Sequence, residues 1–378
     1  MENSKLKLLF LACGLLLFLP MLQQISGLVK EKPLSGAITA PLNPTFSGTK
    51  WFEGEYQAES ENYLNDKFGF RNYFIRLNNQ VAYNLYHTAK ANGVIIGKEN
   101  YLYERSYIDA YYGRDFLGKD SINSILSKVK FLQDALKKKN IDLVLVFNPG
   151  KVSYDVSHVP DELKGEKGIT NYEYYASTAA NLKLNVLDLR DYFISNKEKF
   201  PHPLFPKCGI HWSTYCEILA KDTLMKYIGG LRKIDVPEVV IDSISTHKGN
   251  RNRDADIKDG MNLVLGPDCG TLAYPNYHII SKNKVKVKTL VVADSFFWGI
   301  YGNPDVAQLF ENTQFWFYYH ELYNPKWGVI KYPNEINLKS EIEQQDVIII
   351  MATESTLTRF GWGFIDAAYT LYQSEVPK

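Results

Sequence analysis

One stretch of the chain constrains its fold more than any other. The apolar and β-branched run 289–293 stops abruptly at Asp294 and Ser295, after which Phe296 opens a helix-like segment. Such a run is typical of a strand buried on both faces. A serine at the carboxyl end of this strand would lie where open α/β sheets bind ligands, close to backbone N–H groups that stabilise an oxyanion. Ser295 is therefore a candidate nucleophile, and a turn or helix N-cap at this point is the alternative.

Three further apolar runs predict strands that alternate with helices. The predicted strands are 141–147, 185–189 and 346–351, and the predicted helices with regularly spaced apolar residues are 121–139 and 172–182. Alternation of this kind favours an α/β layer fold with a mainly parallel sheet. Residues 94–103 are typical of a β-hairpin, and 236–287 are expected to form a β-rich insertion.

The first 50 residues differ in composition from the rest. Lys5 and Lys7 precede an apolar run over 8–22, so residues 1–29 are predicted to be a membrane signal anchor, or else a cleaved signal peptide. Residues 30–50 are rich in Pro, Gly, Ser and Thr and are expected to be a linker. The main domain is predicted over 51–378, outside the cytoplasm, either anchored to the membrane or secreted.

Composition excludes some classes of function. The 378 residues carry a formal net charge of +1 and contain no dense basic run, which makes nucleic-acid binding improbable. No cluster of His, Asp and Glu shows metal-ligand spacing, and no cofactor is expected. Cys208, Cys216 and Cys269 allow at most one disulfide in an oxidising compartment, and the spacing does not select the pair.

A serine nucleophile needs a base, and one of the seven histidines has a suitable context. His211 lies in a loop beside Trp212, immediately before a predicted helix for which Thr214 and Glu217 have the spacing of a capping box. The other six histidines have no matching partner nearby in the sequence.

Five segments in this order resemble one family. They are 66–71 (DKFGFR), 97–103 (GKENYLY), 148–151 (NPGK) with Tyr154, 211–213 (HWS) and 293–296 (ADSF). In these segments the chain resembles the alginate O-acetyltransferase family of SGNH-hydrolase-like proteins (AlgX/AlgJ-like), from about Trp51 to the C-terminus.

The resemblance implies a fold, a chemistry and partners. The fold would be an SGNH-hydrolase-like three-layer α/β fold. Ser295 would accept an acetyl group as a covalent ester, and His211 would act as base and then as acid. Substrate contacts are expected at Lys151, Tyr154, Trp212 and Asp294. A polysaccharide hydroxyl would be the acceptor, and a membrane-bound O-acyltransferase partner would supply the acetyl group.

The chain departs from the family pattern at one position. The family's histidine motif reads Asp-x-His-Trp, and Gly209 stands where this aspartate is expected. Three explanations remain open: a backbone carbonyl orients His211, a carboxylate distant in the sequence replaces the aspartate, or this member is a weakened or inactive binder.

The leading prediction is an extracytoplasmic serine-dependent O-acetyltransferase that acts on a cell-surface or secreted polysaccharide. An O-acetyl esterase of the same fold is the second candidate, because water and a sugar hydroxyl compete for the same acyl-enzyme. A non-catalytic polysaccharide-binding or assembly protein is the third.

Overall fold

The computed structural model describes residues 2–36, 40–248 and 251–374. Residues 37–39 of the predicted linker, and residues 249 and 250 of the predicted insertion, lie outside the described residues. The helices are α1 (Glu2–Ser26), α2 (Gly48–Glu53), α3 (Glu55–Lys67), α4 (Arg71–Tyr86), α5 (Arg105–Tyr112), α6 (Lys119–Lys137), α7 (Lys151–Tyr154), α8 (Asn171–Asn181), α9 (Leu189–Ser195), α10 (Thr214–Arg232), α11 (Asp256–Gly260), α12 (Trp298–Tyr301), α13 (Val306–Leu309), α14 (Leu338–Glu343) and α15 (Phe364–Gln373). The strands are β1 (Val94–Ile96), β2 (Leu102–Glu104), β3 (Asp142–Asn148), β4 (Val186–Asp188), β5 (Glu238–Lys248), β6 (Thr271–Ile280), β7 (Lys288–Ala293), β8 (Asn312–Phe317), β9 (Glu321–Tyr323) and β10 (Val347–Thr353).

The chain divides into two compact units. The first comprises Met1–Asn92 and Ile257–Pro267, and the second comprises Gly93–Asp256 and Asp268–Lys378. Helices α2, α3 and α4 group with the N-terminal segment in the first unit. In the first unit, the part of α1 from Ser4 to Ser26 is long and apolar enough to cross a membrane, with a mean hydropathy of 2.1.

A six-stranded sheet forms the centre of the second unit. Its strand order is β4-β3-β10-β7-β8-β9, and every neighbouring pair is parallel except β8 and β9. The predicted α/β fold with a mainly parallel sheet is therefore confirmed. Each predicted central strand is present, with bounds that differ by one or two residues from the prediction.

Burial explains why the central strands are apolar without alternation. All seven residues of β3 and all seven of β10 are buried. One face of the sheet packs its side chains, such as Leu145 and Ile350, against α6, α8 and α15. The alternate residues, such as Val146 and Ile349, are fully buried on the opposite face. Each buried aliphatic side chain contributes roughly 1.5–3 kcal/mol relative to an exposed one, so both layers stabilise the sheet.

A long hairpin extends from this body. β5 and β6 pair in antiparallel fashion, with a bulge between Ile241 and Ser243. Within the second unit, Cys269, just before β6, forms a disulfide with Cys208. This selects one pair among the three cysteines that the sequence left open, and Cys216 is buried as a free thiol.

The disulfide is expected to contribute substantially to stability. It closes a loop of 61 residues, for which chain entropy predicts about 4 kcal/mol. Urea denaturation of a Cys208→Ser/Cys269→Ser variant should give a free energy of unfolding lower by about this amount. Reduced wild-type protein should match the variant. A variant as stable as the oxidised protein would contradict the assignment.

Candidate active site

The end of β7 fixes the position of Ser295. The strand ends at Ala293, which lies opposite Met351 of β10, and Ser295 begins a 3-10 turn that ends at Phe297. The Asp294 carboxylate accepts hydrogen bonds from the Phe296 N–H at 3.1 Å and from the Thr353 N–H at 2.8 Å. Hydroxyl groups of Thr353 and Thr356 donate to the same carboxylate, each at 2.8 Å. Asp294 thus clamps the ends of two neighbouring strands and caps the turn that presents the serine.

His211 lies within hydrogen-bond distance of Ser295. Its Nε2 atom is 2.8 Å from Ser295 Oγ, and its side chain is 15% exposed. The ring packs against Phe296, with 4.8 Å between the ring centroids. Two residues after it, Ser213 is the N-cap of α10, since its Oγ accepts a hydrogen bond from the Cys216 N–H at 3.2 Å. The rigid start of α10 therefore holds the histidine beside the serine.

Asp256 supplies the carboxylate that the histidine motif lacks. Its Oδ2 atom contacts Nδ1 of His211, and its Oδ1 atom accepts a hydrogen bond from the Ile210 N–H at 2.9 Å. A carboxylate can only accept hydrogen bonds, so Nδ1 carries the proton and the Nε2 lone pair faces Ser295 Oγ. The sequence leaves open three explanations of what orients His211. The geometry supports the second, in which a carboxylate distant in the sequence replaces the missing aspartate.

Gly209 is required by the same arrangement. A Cβ atom at this position would lie 2.8 Å from the Asp254 carbonyl oxygen, 2.9 Å from Pro206 Cγ and 3.0 Å from Asp256 Oδ1. The segment that carries Asp256 thus occupies the space that a side chain at position 209 would need. The same packing therefore explains why position 209 has no side chain and why Asp256 takes the place of the missing aspartate.

Lys151 is buried beneath this loop rather than exposed to a substrate. It is 1% exposed, and its ammonium group donates to the carbonyl oxygens of Leu102 at 2.6 Å, Lys207 at 2.8 Å and Gly209 at 2.8 Å. Burial lowers the pKa of Lys151 to about 7, and the Asp256 and Asp155 carboxylates oppose that shift. The expectation of a substrate contact at Lys151 is corrected: the residue anchors the loop that leads to His211.

Three other predicted substrate contacts have different surroundings. Asp294 is 1% exposed and its carboxylate is occupied, so it positions Ser295 instead of meeting a substrate. The hydroxyl of Tyr154 accepts a hydrogen bond from the Leu204 N–H at 3.3 Å, and its ring packs on Phe205, which makes it part of the loop structure. Trp212 does line the cavity beside His211 and packs edge-on against Phe296.

Tyr318 and Arg253 also approach the serine. The Tyr318 N–H donates to the Ala293 carbonyl at 2.9 Å, and the residue has a φ of 51°, which is costly for a bulky side chain. Burial raises the pKa of Tyr318, as does the Asp294 carboxylate, while hydrogen bonds with the side chain and backbone of Ser295 oppose the rise. Arg253 Nη2 lies 3.1 Å from His211 Nε2 and donates to the Ser295 carbonyl oxygen at 3.0 Å.

His211 lines a cavity of about 710 Å³, within the size range of small-molecule sites. Its polar wall includes Arg251, Arg253 and Asp254, and its aromatic wall includes Tyr274 and Trp298. Burial raises the pKa of Asp254 to about 6, and hydrogen bonds with Tyr274 and Thr214 act in the opposite direction. Within the described ranges, no group of three or more His, Cys, Asp or Glu residues could hold a metal ion.

Sequence reasoning identified Ser295 and His211 but missed Asp256, Arg253 and Tyr318. Asp256 lies 45 positions from His211, in an insertion whose acidic residues include Asp254, Asp259 and Asp268. No local motif distinguishes Asp256 among them. Tyr318 belongs to an aromatic run whose composition is equally typical of a core.

One protein-family model matches part of the chain. Residues 94–238 match the family model for the SGNH hydrolase-like domain, acetyltransferase AlgX. No curated protein matches the chain significantly.

Solved structures resemble the chain at low identity. The O-acetyltransferase domain of Pseudomonas putida AlgJ is 14% identical, with a TM-score of 0.45, and the match covers 74% of this chain and 99% of that chain. Bacillus cereus PatB1 is 14% identical with a TM-score of 0.43, covering 65% of this chain and 93% of that chain. Pseudomonas aeruginosa AlgX is 13% identical with a TM-score of 0.38, covering 69% of this chain and 55% of that chain.

The matched residues contain three of the segments that carry the resemblance: 97–103, 148–151 and 211–213, the last of which includes His211. The mainly parallel sheet agrees with the predicted fold. Residues 94–238 of this chain are thus similar to the SGNH hydrolase-like domain of acetyltransferase AlgX.

Proposed function

We propose that this protein is a serine-dependent O-acetyltransferase that transfers acetyl groups to hydroxyls of a polysaccharide outside the cytoplasm. The observation that carries the proposal is the continuous chain of contacts from Asp256 through His211 to Ser295 Oγ. The family match to an acetyltransferase domain supports the choice of an acetyl group. The apolar helix α1 supports attachment to a membrane or export across one.

The first half of the reaction would acylate the serine. Ser295 Oγ attacks the carbonyl carbon of the acetyl donor while its proton moves to His211 Nε2. Asp256 stabilises the resulting imidazolium. The Tyr318 hydroxyl lies against Ser295 and is suited to donate a hydrogen bond to the oxyanion. When the bond to the leaving group breaks, His211 returns the proton to it, leaving acetyl-Ser295.

The second half would consume the acyl-enzyme. A sugar hydroxyl attacks the ester carbonyl, His211 accepts its proton, and collapse of the tetrahedral intermediate returns that proton to Ser295 Oγ. The products are the acetylated sugar and free serine. Water attacking in place of the sugar would give acetate, so transfer and hydrolysis differ only in the acceptor that reaches the ester.

Arg253 imposes a condition on this cycle. The single lone pair of His211 Nε2 faces both the Ser295 hydroxyl and the Arg253 guanidinium. Because an imidazolium would be repelled by the guanidinium, Arg253 must move from Nε2 when the proton is transferred. Its exposed side chain leaves room for that movement.

The serine ester is the first point to test. Full-length protein incubated with 4-methylumbelliferyl acetate and quenched in acid should carry one acetyl group on the tryptic peptide that contains Ser295, as read by mass spectrometry. Ser295→Ala should lose the label, and Ser295→Ala or His211→Ala should slow ester turnover by about 10⁶-fold, as removal of a triad member does elsewhere. Labelling or turnover that survives Ser295→Ala would contradict the mechanism.

Asp256 should be as necessary as a triad aspartate. Asp256→Asn is expected to lower the acylation rate by about 10⁴-fold, because the amide favours the wrong histidine tautomer. Asp268→Asn, an exposed change in the same insertion, is the matched control.

A separate variant tests whether the carboxylate can come from position 209 instead of position 256. A Gly209→Asp/Asp256→Ala variant restores the family's motif but should not recover activity, since the new Cβ meets the Asp254 backbone. Full activity in Asp256→Asn would show that this carboxylate does not orient His211, and full activity in the double variant would show that the packing around position 209 does admit an aspartate.

A further inference from the structure

Glu217 does not have the capping role that its spacing predicts. The N-cap of α10 is Ser213 rather than Thr214, so Glu217 lies one position too far along the helix to complete a capping box. Its N–H donates to the Ser213 carbonyl at 2.9 Å as an ordinary helical bond. The side chain is free to point elsewhere, and it lines the same cavity as His211.

The Glu217 carboxyl group has no hydrogen-bond or ion-pair partner among residues 2–36, 40–248 and 251–374. Lys221, a buried cation whose charge acts on Glu217, is already paired with Asp305 at 3.0 Å and with the Tyr277 hydroxyl at 3.1 Å. Burial raises the pKa of Glu217 to about 7, Lys221 and Arg253 lower it, and Asp254 and Asp305 raise it further. A half-buried carboxyl group with no protein partner must be satisfied by water or by a ligand.

The backbone at Gly299 leaves space for the Glu217 carboxyl group. Any Cβ atom at position 299 would collide with the Glu217 carboxyl oxygens. Gly299 belongs to α12, in the segment that directly follows the nucleophile turn. The absence of a side chain there lets the carboxyl group reach the cavity wall beside Trp298.

A carboxyl group next to aromatic rings is suited to a sugar. Carboxylate oxygens accept strong hydrogen bonds from hydroxyl groups, and an aromatic side chain in the cavity wall, such as Trp298, can cover the apolar side of a sugar ring. We propose that Glu217 binds hydroxyl groups of the acceptor sugar and thereby holds that sugar in the cavity beside acetyl-Ser295. This inference rests on the proposed transferase function and names the residue that selects sugar over water.

The acyl-enzyme can pass its acetyl group to a sugar or to water. The ratio of these two products tests the inference independently of how fast the acyl-enzyme forms. Full-length protein would be given 4-methylumbelliferyl acetate with cellopentaose, chitopentaose or pentameric mannuronate, and the ratio of acetylated oligosaccharide to free acetate measured. Glu217→Leu should lower this ratio at least about tenfold, the loss expected for a hydrogen bond to a charged group.

Two further variants separate binding from folding. Gly299→Ala keeps the carboxylate but displaces it, and should lower the ratio in the same direction. Asp222→Asn, on the same helix and paired with Lys226 at 2.6 Å, should leave the ratio unchanged. Acetate from spontaneous hydrolysis of the ester is measured with Ser295→Ala and subtracted. The corrected ratio counts only acyl-enzyme that has formed, so a partly unfolded variant does not distort it.

The outcomes distinguish the two proposals. Transfer by the wild type to none of the three oligosaccharides would overturn the transferase function and this inference with it. Transfer with an unchanged ratio in Glu217→Leu would overturn the inference alone. Slower acylation of Glu217→Leu at an unchanged ratio would show that Glu217 acts on the acetyl donor, and it would also overturn the inference.

Discussion

The hydrogen bond between Asp256 and His211 is the interaction on which the site depends. It sets the proton on Nδ1, turns the Nε2 lone pair toward Ser295 Oγ, and would stabilise the charge that develops when the serine is deprotonated. The carboxylate comes from an insertion, whereas the serine and the histidine come from the α/β body. Its second oxygen accepts a hydrogen bond from the Ile210 N–H, which fixes the carboxylate relative to the histidine loop and not only to the ring.

The surrounding structure keeps those three side chains in register. Asp294 joins the ends of β7 and β10 and caps the serine turn. Lys151 places all three ammonium hydrogens on backbone carbonyls, one of them at Gly209, and so holds the loop before the histidine. The disulfide between Cys208 and Cys269 ties that loop to the returning strand of the insertion. Each of these interactions holds backbone close to Ser295 or His211 and so limits the freedom of their side chains, as the proposed mechanism requires.

The fold was predictable because its signals are local. Runs such as 141–147 and 346–351 are long, apolar and separated by helical patterns, so they predict a buried parallel sheet without tertiary information. Ser295 and His211 were predictable from strand-end and loop context joined to a family resemblance. Asp256 was not, because a contact 45 positions distant leaves no periodic trace among several acids. Lys151 and Asp294 were placed at the site but given the wrong contacts, since sequence does not distinguish a buried polar anchor from an exposed ligand-binding group.

The central claim is that Asp256 holds the Nδ1 proton of His211. Proton NMR of the full-length protein in detergent measures this directly, because an imidazole proton shared with a carboxylate is strongly deshielded and protected from exchange. We expect a far low-field N–H resonance in the wild type and in Ser295→Ala, and its loss in Asp256→Asn and in His211→Ala. A low-field resonance that persists in Asp256→Asn would show that another group orients the histidine and would contradict the account.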